Sequence, residues 1–351
     1  MKGQDYKGLI FGLFTLTALI SRPLSGKLTE LIGRKPVIML GISIGFVCSL
    51  LYPILAFVWG FLLLRLVHGF STGFTPTGTT TYVSDIVPAN RRGEAVGIMG
   101  FMGNLGMSLS PFMGVEIVRY SSTEVLFYVA ALVALSSIAL FWNLPETKQN
   151  TSPFRLQMLR LHSKDLIERR VFAPTLVMFL TLYSYGAILT LMPDLSKHLG
   201  VANKGTFFSI YALSSLVMRV TAGKASDIYG RVFIIRWGIL ALGFGLWYLA
   251  YAKSAVDIYI SAIVFGLGVG ITSPTIFAWA IDLSNPQERG KAISTLFMGL
   301  EAGIFVGAIT SGWLFGNDLR NATLVFLISF FLTILSWIYL QFIYKEVAQK
   351  P

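Results

Sequence analysis

Two ionisable side chains of this 351-residue chain stand inside long apolar stretches, where a charge is costly and marks a functional position by default. Arg65 lies in LLLRLVHGFSTG, residues 62–73, about two turns from the outer end of its stretch. Glu301 lies in LFMGLEAGIFVGA, residues 296–308, about three turns from either end. A carboxyl group withdrawn from water is suited to taking up and releasing a proton. The competing reading is a protonated Glu301 that hydrogen-bonds a neighbouring helix. Arg65 either orients a substrate or a proton carrier, or snorkels to the interface. Gly69, Thr72 and Pro76 follow Arg65 on one helical face, with His68 one turn along. Tyr183, Tyr185 and Trp279 bring polar-tipped aromatics to other apolar stretches, either as cavity lining or as packing and interface anchors. Asp194 and Glu116 fall near stretch ends and read as solvated. The histidines, His68, His162 and His198, are scattered, with no metal-ligand cluster and no nucleophile–base motif around them. The reading is therefore a non-enzyme with no metal and no cofactor.

These groups must be positioned by helices in lipid. Hydrophobic residues make up 54% of the chain and charged residues 13%, about half the charged share of a soluble protein. That composition excludes a disordered chain, a nucleic-acid-binding domain and a disulfide scaffold; the single cysteine, Cys48, cannot form an internal bridge. Apolar stretches long enough to cross about 30 Å of hydrocarbon recur at 8–24, 36–57, 58–86, 92–118, 123–143, 172–193, 205–222, 232–252, 255–283, 291–316 and 321–344. They are too long and too little alternating for strands, which leaves helices as the structure able to satisfy the backbone in lipid.

A polar, basic linker at 144–171 divides an N-terminal bundle, 1–143, from a C-terminal bundle, 172–351. Its Phe154, Met158 and Leu161 fall on one helical face, which reads either as a membrane-surface helix or as a solvated one. Twenty of the 28 Lys and Arg residues, Arg22 and Arg219 among them, fall on the side that carries this linker, and seven on the other. The rich side is expected in the cytoplasm together with the C-terminus, so the net charge of +11 is mostly a topology signal.

The chain also matches itself at a constant offset of 197 residues. Arg22, Gly26, Lys27, Gly33 and Arg34 fall on Arg219, Gly223, Lys224, Gly230 and Arg231, and Glu30 falls on Asp227. Gly69, Gly73, Asp85, Arg92 and Gly93 fall on Gly266, Gly270, Asp282, Arg289 and Gly290. Asn104 falls on Glu301, which adds it to the candidates for substrate or proton contact. The helix at 172–193 has no partner within the sequence, so five helices plus six are expected where the repeat implies six plus six. Parallel repeats of this kind belong to secondary transporters.

GKLTELIGRK at 26–35 and GKASDIYGR at 223–231 resemble the loop signature of the major facilitator superfamily, and the resemblance extends over the whole chain. Glu30 departs from the Asp usual there. LLLRLVHGFSTG resembles the family's fourth-helix signature, with His68 in place of Gln, and GNLGMSLSPFMG at 103–114 resembles a degraded form of its antiporter signature. The resemblance implies an all-α membrane protein of two parallel-repeat bundles that rock about a midplane site. It also implies a loop and gating set made of Gly26, Glu30, Gly33, Arg34, Lys35, Asp85, Arg92, Gly223, Asp227, Gly230, Arg231, Asp282 and Arg289. In that family such charges form a breakable latch at the cytoplasmic end, against the plainer reading of topogenic charges. No P-loop is present, so transport is expected to run on a gradient.

The function expected is proton-coupled efflux of small organic solutes by a monomer in the inner or plasma membrane, with the lipid bilayer and protons as partners. Uptake of a sugar or organic acid by symport, and a transport-inactive or sensor-like protein, are the alternatives.

Overall fold

The computed structural model describes residues 5–344 except 56, 163–165, 202–204 and 317; among their side chains, 5–13, 104, 107, 108, 111, 112, 115, 220, 319 and 343 lie outside the description. Eleven long helices occur among the described residues, one for each expected span: α1 Asp5–Leu31, α2 Arg34–Leu51, α3 Val58–Ile86, α4 Arg92–Tyr120, α5 Thr123–Trp142, α6 Phe172–His198, α7 Thr206–Tyr229, α8 Arg231–Ala250, α9 Ala255–Leu283, α10 Arg289–Phe315 and α11 Ala322–Ile338. Seven of the spans they form are long and apolar enough to cross a membrane by length and composition alone, and an eighth qualifies if the bent α7 counts as one span. The protein is a multi-pass integral membrane protein.

The loop signatures turn out to be mostly helix. α1 runs through GKLTEL to Leu31 and α7 through GKASDIY to Tyr229, so each turn is reduced to a residue or two around Gly33 or Gly230. Both glycines take a positive φ, 105° and 92°, a conformation that costs a residue with a side chain. They stop one helix and start the next within a single step.

Packing groups the chain into two compact units. One comprises Met1–Val87, Leu109–Val171 and Leu283–Met298; the other comprises Pro88–Ser108, Phe172–Asp282 and Gly299–Pro351. α4 and α10 therefore each contribute to both. In the first unit α3 packs along α1 and α2, and α2 packs on α5. Small apolar clusters hold these contacts, such as Ile38, Ile42 and Tyr82, and Cys48, Tyr52 and Leu64. In the second unit α11 packs on α6 and α8 around a larger core that includes Leu191, Leu246, Phe265 and Phe326.

The repeat holds at atomic detail. A Cβ on Gly69 would lie 2.5 Å from the carbonyl of Phe14, and a Cβ on Gly266 would lie 2.5 Å from the carbonyl of Tyr211, the residue 197 positions on from Phe14. Both glycines let two helix backbones touch, which is how helices gain contact in lipid. The same device joins α10 to α6, where Gly299 and Gly303 meet Thr175 and Phe179.

The linker departs from its expected form. The described stretch from 154 to 162 carries regular structure only as a short 3-10 turn, Leu156–Leu159, so Phe154, Met158 and Leu161 share no helical face. Tertiary tethers win over the helical period. Ser152 donates its backbone N–H to the Leu31 carbonyl at 2.8 Å, Lys27 reaches the Arg160 carbonyl at 2.6 Å, and Met158 packs onto the cluster of Leu28, Val37 and Phe74. Phe154 and Leu161 are left exposed.

Candidate functional site

The loop-signature charges assemble into two equivalent clusters, each drawing residues from both repeats. In the first unit, Arg34 donates through Nε to Asp85 at 2.8 Å and through a terminal nitrogen to Glu30 at 3.0 Å. Arg289 donates to the other oxygen of Asp85 at 2.7 Å and to the Ser84 carbonyl at 3.0 Å. The Gly290 N–H donates to Glu30. In the second unit, Arg231 donates through Nε to Asp282 at 2.8 Å and pairs with Asp227. Arg92 donates to the other oxygen of Asp282 at 2.9 Å, and the Gly93 and Glu94 N–H groups donate to Asp227 at 2.9 and 3.0 Å. Four contacts recur at the repeat offset: Arg34–Asp85 with Arg231–Asp282, Arg34–Glu30 with Arg231–Asp227, Arg289–Asp85 with Arg92–Asp282, and the Gly290 N–H on Glu30 with the Gly93 N–H on Asp227. The aspartates do not pair with the arginines that follow them in sequence. Asp85 takes Arg289, and Asp282 takes Arg92. Arg34 is 2% exposed and Asp85 13%, so these pairs are shielded enough to matter energetically.

Gly26 and Gly223 explain how close this approach is. Gly26 abuts Ser294 and the Gly290 carbonyl, and Gly223 abuts the Gly93 carbonyl, in both cases with no room for a side chain. Ser294 also donates to the Arg22 carbonyl.

The first cluster has an addition that the sequence reading missed. Glu146, in the linker, accepts from the backbone N–H groups of Arg34 at 3.0 Å and Lys35 at 2.9 Å, and from its near neighbour Lys148 at 2.9 Å. The N-cap residue of α2 is Gly33, which has no side chain to cap with, so a carboxylate 112 positions away satisfies the helix start. Its charge also faces the positive end of the helix dipole. Thr147 donates to Asp85 at 3.0 Å, Lys148 pairs with Glu30 at 3.3 Å, and Lys35 donates to the Trp142 carbonyl at 2.6 Å. At the linker's other end, buried Glu168 pairs with Lys291 at 3.4 Å, and Thr295 accepts the Glu168 N–H at 3.0 Å. Replacing Glu146 with Gln should lower stability by about 1 kcal/mol, the scale of a lost cap. A thermal melt in detergent measures this, and an unchanged midpoint would reject the capping role.

Arg22 and Arg219, counted on the basic side and lying in the stretches 8–24 and 205–222, are held within α1 and α7 and are 2% and 8% exposed. Arg22 donates to the Gly73 carbonyl and to Thr77, both at 3.2 Å, and its guanidinium lies 4.1 Å from the centre of the Phe297 ring. Arg219 lies against Gly100. The available signal was their exact recurrence at the repeat offset, inside stretches that are otherwise apolar.

Arg65 is on α3, with its guanidinium 5.2 Å from the Phe14 ring and 5.9 Å from the Phe61 ring. Its Nε is buried without a hydrogen-bond partner, and among the described residues no carboxylate pairs with it. One turn on, His68 Nδ1 shares a 3.1 Å hydrogen bond with the Tyr52 hydroxyl and meets Phe14 edge-on.

Glu301 is 7% exposed on α10, on the face opposite the seam that Gly299 and Gly303 form with α6. Tyr183 shares a 2.8 Å hydrogen bond with Thr310 across the same seam, and Tyr185 packs against Tyr211. Trp279 is 3% exposed near the end of α9, its ring edge-on to Tyr344 at 5.1 Å, which is a packing position. Asn104 lies on α4, and its side chain is outside the described set.

A two-repeat helical membrane bundle with twin glycine-and-charge clusters defines a class, that of solute transporters. The chain belongs to the Major Facilitator Superfamily, whose family model matches residues 3–202 and 174–351. It is 24% identical over 318 residues to an uncharacterized MFS-type transporter of Methanocaldococcus jannaschii, covering 88% of this chain and 81% of that one. It is 22% identical to Multidrug resistance protein 1 of Bacillus subtilis, covering 89% and 81%, and 22% identical to the quinolone resistance protein NorA of Staphylococcus aureus, covering 90% and 82%. Its fold is similar to the human organic anion transporter MFSD10, with a TM-score of 0.84 at 19% identity over 95% of this chain and 83% of that one. It is also similar to the proton:xylose symporter XylE, with a TM-score of 0.81 at 15% identity over 96% and 85%. The protein is a transporter of small molecules, resembling efflux-type members, and not an enzyme.

Proposed function

We propose that this protein exports small organic solutes from the cytoplasm in exchange for protons, by alternating access. The observation that carries the coupling is Glu301, a carboxyl group only 7% exposed in the middle of the apolar helix α10. Binding and release of one proton there changes the charge at a buried helix position, which the groups packed around it feel strongly. Arg65, flanked by two aromatic rings and by the His68–Tyr52 pair, serves as the polar contact for solute. The twin ion-pair clusters act as the latch, which forms in one state of the cycle and breaks in the other. Export rather than uptake is supported by the names of the bacterial relatives, a multidrug resistance protein and a quinolone resistance protein. In this reading the basic loops and the C-terminus face the cytoplasm, and the protein works as a monomer in the cytoplasmic membrane.

The test is flux in proteoliposomes with an imposed pH gradient, screened across cationic, neutral and anionic organic solutes. Accumulation on the acidic side that collapses with the gradient is the expected result. Accumulation on the alkaline side would replace export by symport, and flux indifferent to the gradient would remove proton coupling.

A further inference from the structure

A second, separate site opens at the end of the second unit opposite the basic loops. A cavity of about 810 Å³ lies where the end of α6, the end of α8 and the start of α11 meet. Its volume is within the range of small-molecule sites. Its floor is apolar and belongs to the core of the unit: Leu195, Leu249, Ala322 and Phe326 are 8, 2, 5 and 1% exposed. Its rim is polar and exposed, with His198, Lys253, Asp318 and Arg320.

The walls are preformed. Thr323 donates to the Ala250 carbonyl at 3.0 Å, which ties α11 to the end of α8. The turn that carries Lys253 is held by Asp257, which accepts the backbone N–H groups of Lys253 and Ser254, both at 2.9 Å, and the hydroxyls of Ser254 and Tyr248, both at 2.8 Å. Four donors therefore satisfy that carboxylate without using the Lys253 ammonium. Among the described residues Lys253 has no ion pair, and Arg320, 92% exposed, has only a 3.9 Å contact with Asp318. The rim thus sets two cations, Lys253 and Arg320, against one carboxylate, Asp318, and borders an apolar floor. A small hydrophilic anion would leave the floor uncovered, and a neutral apolar molecule would gain nothing from the rim.

We propose that this pocket binds an anionic amphiphile, with its phosphate or carboxylate head on Lys253 and Arg320 and its alkyl chain over Leu195, Leu249 and Phe326. Two sources present that chemistry: a phospholipid of the surrounding leaflet, and a free amphiphile in the adjoining water. The site is independent of Glu301 and Arg65, and its occupancy does not require either residue.

The experiment compares the parent with Lys253→Glu and with Ala252→Trp. The first reverses the rim charge on an exposed side chain while leaving the backbone contacts to Asp257 in place. The second fills the cavity from its edge. Native mass spectrometry counts phosphatidylglycerol and phosphatidylcholine retained after exchange into a neutral detergent, and thermal melting follows titration with dodecyl phosphate. The parent should retain phosphatidylglycerol over phosphatidylcholine, or melt higher with dodecyl phosphate, and both variants should lose that response at least about fivefold. Dependence on these residues in the phosphatidylglycerol arm identifies a bilayer lipid, and dependence in the dodecyl phosphate arm alone identifies a free amphiphile. Variants that match the parent in both arms, while eluting as monodisperse folded protein, would overturn the proposal. So would a parent with no anion preference in either arm.

Discussion

Glu301→Gln should abolish pH-gradient-driven accumulation of solute in proteoliposomes, by about tenfold or more, while leaving solute counterflow measurable. Gln keeps the size of the side chain and much of its hydrogen bonding but cannot titrate. A purely structural Glu301 tolerates the change, because Gln can keep a hydrogen bond there and the contacts of α10 with α6 at Gly299 and Gly303 lie on the opposite helix face. A coupling Glu301 does not tolerate it, because the proton has no other carrier at that position. Gradient-driven uptake equal to that of the parent would take the coupling role from Glu301. Loss of both accumulation and counterflow would assign it instead to solute binding or to folding, and a thermal melt separates those two.

Asp85→Asn should open the latch. Asp85 accepts from Arg34, Arg289 and Thr147 at 2.8, 2.7 and 3.0 Å, so its neutralisation removes the carboxylate shared by two shielded guanidiniums and leaves Arg34 with Glu30 alone. Removing one partner of a fully buried pair costs about 3–5 kcal/mol, and about 2 kcal/mol is expected here because both sides keep some contact with water. That corresponds to a shift of roughly thirtyfold in the population of the latched state. Transport should fall several-fold at unchanged expression. The distance between spin labels on the loops after α1 and before α10 should broaden toward the open form. Asp282→Asn is the matched control, because Asp282 has the equivalent arginine partners, Arg231 and Arg92. If both variants transport normally at normal expression, the charges are topogenic and the latch does not exist.

The helices were legible from the sequence because lipid imposes a rule on each segment separately. Every span must be long, apolar and internally hydrogen-bonded, so eleven stretches read one at a time became eleven helices. The repeat was legible because the halves have kept identical spacing, and the same constancy placed Glu30, Arg34 and Asp85 in correspondence with Asp227, Arg231 and Asp282. What failed was any inference from nearness along the chain. Arg91 and Arg92 follow Asp85 closely, yet Asp85 takes Arg289, 204 positions on. Phe154, Met158 and Leu161 have a helical period, yet the linker is drawn out by tethers at Leu31, Lys27 and α2.

By itself, then, the sequence determined which segments form the long helices, that the chain carries two copies of one sequence repeat, and which charges recur in both copies. Periodicity, hydropathy and spacing are local properties, and each was sufficient for its conclusion. Tertiary structure alone decided the crossed pairing of the two charge clusters, the capping of α2 by Glu146, and the burial of Arg22 and Arg219. Those outcomes depend on which backbone surfaces approach closely enough to exclude water. At Gly26, Gly93, Gly223 and Gly290 that approach is set by two segments meeting from distant parts of the chain, and neither segment encodes it alone.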